Sequence, residues 1–301
     1  MSVLLVLMAR TGGQTMKRIM FATDFSERSD RALRRAVILA RAHDAVLEIV
    51  HVVDDDRPRR IVDHEANDAR QLLGELARNL KDLDGVSCST QIVQDDPFAG
   101  ILKAVAKATP DLLVIGPHRR QILRDAFVGT TAERTIRAAS CTVLMVNGPP
   151  VGPWRHMLHT TDLSEAAEKA LKRFIGLGLG AGARSSVLTV FDAPALRLAM
   201  SDSMGKEGQE DYLNDLRTDA RKSLAAFISR LGIGQAEKVV RPEESTVANE
   251  ILKAAEELKA DLIVIATSGK GAVARMVLGS VAGQVLKDAQ CDVLVIPPGA
   301  A

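Results

Sequence analysis

Ala22-Thr23-Asp24-Phe25-Ser26-Glu27 returns as Thr160-Thr161-Asp162-Leu163-Ser164-Glu165, 138 residues further along the chain. Pro110-Asp111-Leu112-Leu113-Val114-Ile115 returns as Ala260-Asp261-Leu262-Ile263-Val264-Ile265, and Ser140-Cys141-Thr142-Val143-Leu144 as Gln290-Cys291-Asp292-Val293-Leu294. These later pairs are offset by 150, so the second copy holds 12 extra residues, which fall around Leu196–Gln209 and are expected to form a mobile loop. A repeat this long is a duplicated domain, not a solenoid unit.

Working outward, each copy alternates short apolar runs with amphipathic stretches. In the first copy Arg18–Ala22, Val46–Val53, Ser87–Val93, Leu112–Ile115 and Val143–Val146 read as strands. Helices are expected over Glu27–His43 after an N-cap at Ser26, His64–Leu83, from Asp96-Pro97 onward, and Ala132–Ala139. The second copy offers strands at Met157–Thr160, Val187–Phe191, Lys238–Arg241, Leu262–Ala266 and Val293–Ile296, with helices at Glu165–Leu179, Asp211–Leu231, Val247–Lys259 and Val281–Asp288. Strictly alternating strands and helices imply parallel pairing, right-handed crossovers and helices on both faces. The fold class is therefore α/β: two tandem, open, parallel five-stranded sheets. The boundaries read as an N-terminal extension over 1–16, a first domain over 17–148, a Pro- and Gly-rich linker over 149–153 and a second domain over 154–298. The first fifteen residues stand outside the repeat, and Met16 reads as a natural start.

Composition narrows the function classes. Thirty-nine basic residues against 38 acidic ones argue against a strongly electrostatic nucleic-acid binder, and one Trp and one Tyr provide no stacking platform. The Val3–Met8 run is too short to span a bilayer. Three cysteines form no CxxC, and Cys141 and Cys291 precede apolar runs, as buried small hydrophobes do. The expectation is a cytoplasmic protein that engages neither nucleic acid nor membrane. Histidines 43, 51, 64 and 118 lack metal-ligand spacing, so no metal site is expected. Gly178-Leu179-Gly180-Ala181-Gly182 mimics a dinucleotide fingerprint, but it follows a helix and precedes a strand, so it reads as a helix end and turn.

The chemistry gathers in the second copy. After its fourth strand come Ala266-Thr267-Ser268-Gly269-Lys270-Gly271, seven residues, then Gly279-Ser280-Val281. Glycines let backbone N–H groups wrap an anion, and Ser280 opens a helix whose N-terminal N–H groups favour phosphate. In an open parallel sheet ligands sit where the winding reverses, which brings Asp162 opposite this loop. A carboxylate facing a phosphate cradle suits a nucleotide, with Asp162 toward the adenosine end or toward a metal. Helix capping is the alternative use for Asp162 and for its repeat equivalent Asp24.

This pattern resembles the universal stress protein family in tandem form, over residues 17–298. ATP-binding members carry Gly-x-x-Gly, nine residues, then Gly-Ser/Thr, with an aspartate after the first strand and a valine near the end of the second. The second copy matches at Gly269, Gly279, Ser280, Asp162 and Val190, and departs at Ala266, where the family has glycine. The resemblance implies strand order 3-2-1-4-5 in each domain, an ATP site with Mg as an optional companion, dimer-like pairing of the two domains and a role in stress tolerance. The implied nucleotide site comprises Thr161, Asp162, Val190, Ala266, Gly269, Gly271, Gly279, Ser280 and Val281. The first copy keeps Asp24, Val52, Gly116, Gly129 and Thr130 but has Arg119 for the second glycine and Pro117 beside it. It reads as a degenerate site, or as a weak second one gripping phosphate through Arg119, Arg120 and Arg124. The leading function is a regulatory adenine-nucleotide-binding protein with at most weak ATP hydrolysis. The alternatives are a ligand-free interaction scaffold and a nucleotidyl-transfer enzyme. Association of two chains into a homodimer is a further expectation.

Overall fold

The computed structural model describes residues 16–117, 130–194, 206–233, 235–267 and 278–297. In the first half, strands β1 (Arg18–Thr23), β2 (Val46–Val53), β3 (Cys88–Gln94), β4 (Leu112–Ile115) and β5 (Thr142–Met145) alternate with helices α1 (Glu27–His43), α2 (Arg59–Asp84), α3 (Pro97–Ala108) and α4 (Thr131–Ala138). The second half repeats this with β6 (His156–Thr160), β7 (Arg184–Phe191), β8 (Glu237–Pro242), β9 (Leu262–Ala266) and β10 (Asp292–Ile296). Its helices are α5 (Glu165–Gly176), α6 (Lys206–Leu231), α7 (Val247–Glu257) and α8 (Ser280–Asp288).

Local chemistry sets the helix boundaries. Ser26 and Ser29 form a reciprocal capping box at the start of α1, Asp96 accepts from Ala99 N–H at 3.0 Å ahead of Pro97, and Ser164 accepts from Ala167 N–H at 3.2 Å. Gly85 ends α2 in the left-handed conformation, at φ 68°. Three differences from the sequence expectation concern length. Helix α2 begins at Arg59 behind Pro58, because charged residues on its first turn lie in solvent and leave no apolar period to read. Helix α5 stops at Gly176, and Gly178, Gly180 and Gly182 all take positive φ in the turn that follows. Helix α6 begins at Lys206, so the end of the expected loop over Leu196–Gln209 is helical; residues 195–205 lie outside the described set.

The strands form one open ten-stranded sheet in the order β3-β2-β1-β4-β5-β10-β9-β6-β7-β8. Each half therefore has the 3-2-1-4-5 order, and all neighbours within a half are parallel. The two five-stranded sheets join into one because β5 and β10 pair antiparallel: Val143 with Val295, Leu144 with Leu294 and Met145 with Val293. Leu144 and Leu294 are repeat equivalents, so a local pseudo-twofold axis passes through that pair.

Alternation along the strands feeds two hydrophobic layers. Phe21, Ile49, Val114, Leu144, Leu294 and Phe174 belong to one; Met20, Val50, Leu113, Val143, Val293 and Val295 to the other. Both layers run across the β5–β10 seam. Cys141 lies in the second layer, where burial pushes its thiol up to about 12, and Cys291 packs against that layer with the same shift from the same cause.

The seam is closed on one side by Asp292, which is 1% exposed. Its Oδ2 accepts from Arg35 Nε on α1 and from the Trp154 indole N–H, both at 3.0 Å. Its Oδ1 accepts from the N–H groups of Asn147 at 3.2 Å and Gly148 at 3.3 Å. Arg35 also donates to the Gly152 carbonyl at 2.6 Å and lies 4.7 Å from the centroid of the Trp154 ring. The join between the copies is thus tied down from both ends. The repeat equivalents of this node differ: Thr142 stands for Asp292, and neither its Oγ1 nor the buried Nη1 of Arg173, the equivalent of Arg35, has a hydrogen-bond partner among the described residues.

Candidate functional site

Both halves open a cavity at the carboxyl end of their first and fourth strands. In the second half it measures about 320 Å³. Its walls include Thr160, Thr161 and Asp162 at the end of β6, Leu188 and Val190 on β7, Val247 and Ile251 on α7, Ile265, Ala266 and Thr267 at the end of β9, and Gly279 to Ala282 at the start of α8. Seven of the nine residues expected at the nucleotide site therefore line one cavity: Thr161, Asp162, Val190, Ala266, Gly279, Ser280 and Val281. Gly269 and Gly271 lie outside the described residues. The sequence reading missed the other ten lining residues: Thr160, Ser164, Ala166, Ala167, Leu188, Val247, Ile251, Ile265, Thr267 and Ala282. For all but Val247 and Ile251 the signal was available in the strand and helix register, since each lies within five residues of one that was chosen; α7 carried no chosen residue.

A strained turn delivers the aspartate. Leu163 takes φ 62° and Phe25, its equivalent, φ 57°, left-handed values that a side chain rarely adopts. In each case the preceding threonine anchors the turn: Thr161 Oγ1 accepts from Leu163 N–H at 2.9 Å and Thr23 Oγ1 from Phe25 N–H at 3.0 Å. The conserved geometry of the turn puts Asp162 and Asp24 at the same place in their cavities.

Their partners differ sharply. Asp24 Oδ1 accepts from Ser26 N–H at 3.0 Å, Ser26 Oγ at 2.5 Å and Ser29 Oγ, while Arg28 Nη2 lies 3.6 Å from Oδ2. Burial raises the Asp24 carboxyl, but the hydrogen bonds from Ser26 and Ser29 and the charge of Arg28 outweigh it and hold it below its usual value. Among the described residues Asp162 accepts only from Ser164 N–H, at 3.0 Å. Two donors are lost by substitution, since Ala166 and Ala167 stand where the first half has Arg28 and Ser29; Ser164, like Ser26, keeps its N–H on the aspartate. Asp162 is left with a carboxylate oxygen that meets no partner among the described residues.

The facing helix ends differ in the same sense. Thr130 caps α4, accepting from Glu133 N–H at 3.1 Å. Gly279 is the N-cap of α8 and contributes no side-chain acceptor, and a Cβ built there would meet nothing within 4 Å. The first N–H groups of α8 are thus left uncapped beside open space, the arrangement that suits an anion. An apolar wall of Leu188, Val190, Ile251 and Ile265 completes a cavity whose residues fit a nucleotide.

The first-half cavity, about 330 Å³, is lined by Asp24, Val52 and Gly116 among the residues expected there; Thr130 is not on its lining, and Arg119 and Gly129 lie outside the described residues. Arg120 and Arg124 lie outside them too. A Cβ at Gly116 would sit 3.0 Å from the Arg28 carbonyl carbon and oxygen, so α1 approaches the β4 end too closely for a side chain. Ala266, its equivalent, lines its cavity and places a methyl group there. Among the described residues no group of three or more His, Cys, Asp or Glu is arranged to hold a metal ion.

A model of the universal stress protein family matches residues 15–147 and again 153–297. A universal stress protein of Methanocaldococcus jannaschii is 32% identical over 144 residues, 48% of this chain and 82% of that protein. A putative universal stress protein of Staphylococcus aureus is 29% identical over 149 residues, 48% of this chain and 84% of its own length. The crystal structure of a universal stress protein from Archaeoglobus fulgidus superposes with a TM-score of 0.70, covering 95% of this chain and 97% of that one at 19% identity. A putative universal stress protein from Pseudomonas aeruginosa gives 0.67, with 94% of each chain covered at 20% identity. At those identities the superpositions speak for the fold alone. The two family matches, one to each repeat, make this chain a tandem member of the universal stress protein family.

Proposed function

We propose that the second domain binds an adenine nucleotide, ATP in the first instance with or without magnesium, and that the protein acts as a regulatory member of its family through that binding. One observation carries the reading. Among the described residues the second cavity alone leaves its aspartate with a single donor and its facing helix uncapped, whereas in the first the equivalent groups are engaged by Ser26, Ser29, Arg28 and Thr130. Asp162 would take the ribose hydroxyls, the uncapped start of α8 the phosphates, and the Leu188, Val190 and Ile251 wall the base. Asp162 is the one titratable side chain among the described lining residues, and a single carboxylate suits retention better than rapid turnover.

Pairing of the two domains within one chain is part of the same proposal. The antiparallel β5–β10 contact and the Asp292 node support it: each domain covers the other's apolar edge strand, which a single domain would leave exposed. We place the protein in the cytoplasm, where adenine nucleotides abound; among the described residues no helix is long and apolar enough to cross a membrane.

Isothermal titration calorimetry of ATP against the full chain tests the reading. One site per chain is expected, with affinity at least tenfold lower in Asp162→Ala. Two equal sites, or an unaltered Asp162→Ala, would overturn it.

A further inference from the structure

We propose that the first-domain cavity is a binding site for a small organic acid with an apolar body, its carboxylate paired with Arg28 and with the Thr135 hydroxyl as a second donor. The cavity is as large as its nucleotide-shaped counterpart, at about 330 Å³ against about 320 Å³, and both lie at the lower end of the range for small-ligand pockets. Its walls correspond position by position: Val50 to Leu188, Val52 to Val190, Ile101 to Ile251 and Ile115 to Ile265. The apolar body of a ligand therefore meets the same kind of wall in both.

The polar groups do not correspond. Arg28, Ser29 and Thr135 line the first cavity, where the second copy has Ala166, Ala167 and Val285 at the same positions. Duplication followed by loss of function would leave small or apolar residues; three apolar or small positions are here polar, and one is cationic. Two of these groups hold buried polar atoms with no hydrogen-bond partner among the described residues, Arg28 Nε and Thr135 Oγ1. Thr135 is fully buried, at 0% exposure, in the middle of α4. A buried donor left unmade costs about 1–3 kcal/mol, so two around one cavity are accounted for by a ligand that satisfies both.

The same groups select against a nucleotide. Thr130 fills the N-terminal end of α4, and Asp24 has given Oδ1 to three donors, so the phosphate and ribose contacts of the second domain have no counterpart. Asp24 does not cancel the attraction for a carboxylate. Its side chain is 66% exposed at the rim and faces Arg28 through Nη2, at 3.6 Å. A carboxylate accepting from an arginine edge makes a charge-assisted bond, stronger than a neutral acceptor would make.

Benzoate is the probe and benzamide, its neutral isostere, the control. Benzoate is titrated into the full-length protein with isoleucine methyl groups labelled for NMR. Saturable shifts are expected at Ile101 and Ile115 and not at Ile251 and Ile265, with benzamide at least tenfold weaker. Arg28→Ala and Thr135→Val should each lower benzoate affinity at least tenfold. Both variants carry the residue type that the second copy already holds at that position, so each can be accommodated by the fold. Absence of a saturable shift at Ile101 and Ile115, equal binding of benzamide, or unchanged affinity in Arg28→Ala would overturn the proposal. Displacement of benzoate from Ile101 by ATP would overturn it as well, by making the site a nucleotide site. The second-domain reading rests on other residues and survives any of these results.

Discussion

Replacing Asp292 by Asn tests what holds the two copies together. The substitution preserves shape and removes the charge, but an amide offers one acceptor oxygen where the carboxylate offered two. Either the Arg35 and Trp154 donors on the Oδ2 side or the Asn147 and Gly148 donors on the Oδ1 side lose their acceptor. Arg35, 6% exposed at its side chain, is left as a buried cation facing a neutral group. The ion pair itself is not a large source of stability. Burial pushes the Asp292 carboxyl above its usual value, and Arg35, the Trp154 indole and Gly148 N–H pull it back without offsetting burial in full. Removing one partner is a different matter, because the desolvation of the other remains; breaking a buried pair this way costs about 3–5 kcal/mol. At a denaturant slope of about 3 kcal/mol/M, a loss of that size lowers the urea midpoint by about 1 M or more. Trp154 is the chain's single tryptophan, so its fluorescence reports on the node directly. The variant should unfold at lower urea, with the Trp154 emission shifted to the red before the far-ultraviolet circular dichroism falls. Adding Arg35→Met should cost less than the sum of the two single changes, since the orphaned charge is then gone. A single variant with an unmoved midpoint and unshifted Trp154 emission would refute the assignment of this node as the lock.

Three further outcomes can be measured. Gly279→Val places a branched side chain in the open space at the start of α8 and should lower ATP affinity at least tenfold, about 1.4 kcal/mol, with an unchanged melting temperature; calorimetry and a thermal scan decide. Asp24→Ala should leave ATP affinity intact while costing about 1 kcal/mol, the worth of a helix-start acceptor; equal ATP losses in Asp24→Ala and Asp162→Ala would place nucleotide in both domains. His159 is buried against Phe174, and burial lowers it to about 4. It is neutral in the folded chain while the unfolded chain protonates near 6.5, so its share of stability is intact above pH 6.5 and lost as pH falls toward 4, about 3 kcal/mol in all. His159→Phe, the residue type the first copy holds at Phe21, should remove that acid sensitivity; identical pH–stability profiles for the two proteins would refute the assignment.

The strands were the most legible part of the fold, and for a physical reason. β2 and β9 are β-branched, apolar and sharply bounded, and their limits match the reading. Where capping chemistry was local, as at Ser26 and Asp96, the helix starts were equally plain. Starts without a side-chain cap, such as Arg59 after Pro58, left no mark in the periodicity. The site was half legible. Motif spacing led to Asp162, Gly279 and Ser280, but the difference between Asp162 and Asp24 lies four and five residues downstream, in Ala166 and Ala167 against Arg28 and Ser29. Those residues were open to comparison between the copies and carry no motif. The Asp292 node had no signature at all, because Arg35 and Asp292 stand 257 residues apart and meet only when the sheet is continuous.

The mismatch at the seam has a consequence for which domains can recognise each other. Two first domains brought together by their β5 edges would juxtapose two Arg35 groups with two Thr142 residues and supply no carboxylate. Two second domains meeting through β10 would offer Arg173 to Asp292 twice over. Among the described residues the internal pairing holds one such Arg–Asp contact and leaves Arg173 Nη1 and Thr142 Oγ1 buried without partners. Joined in one chain, the domains are thus heterotypic mates held together by proximity, with a homotypic alternative stored in the second. Whenever the linker is cut, the second domains should sort into symmetric pairs and release first domains as monomers. Mass photometry of the nicked protein would detect that exchange, and nicked chains that remain one-to-one would exclude it.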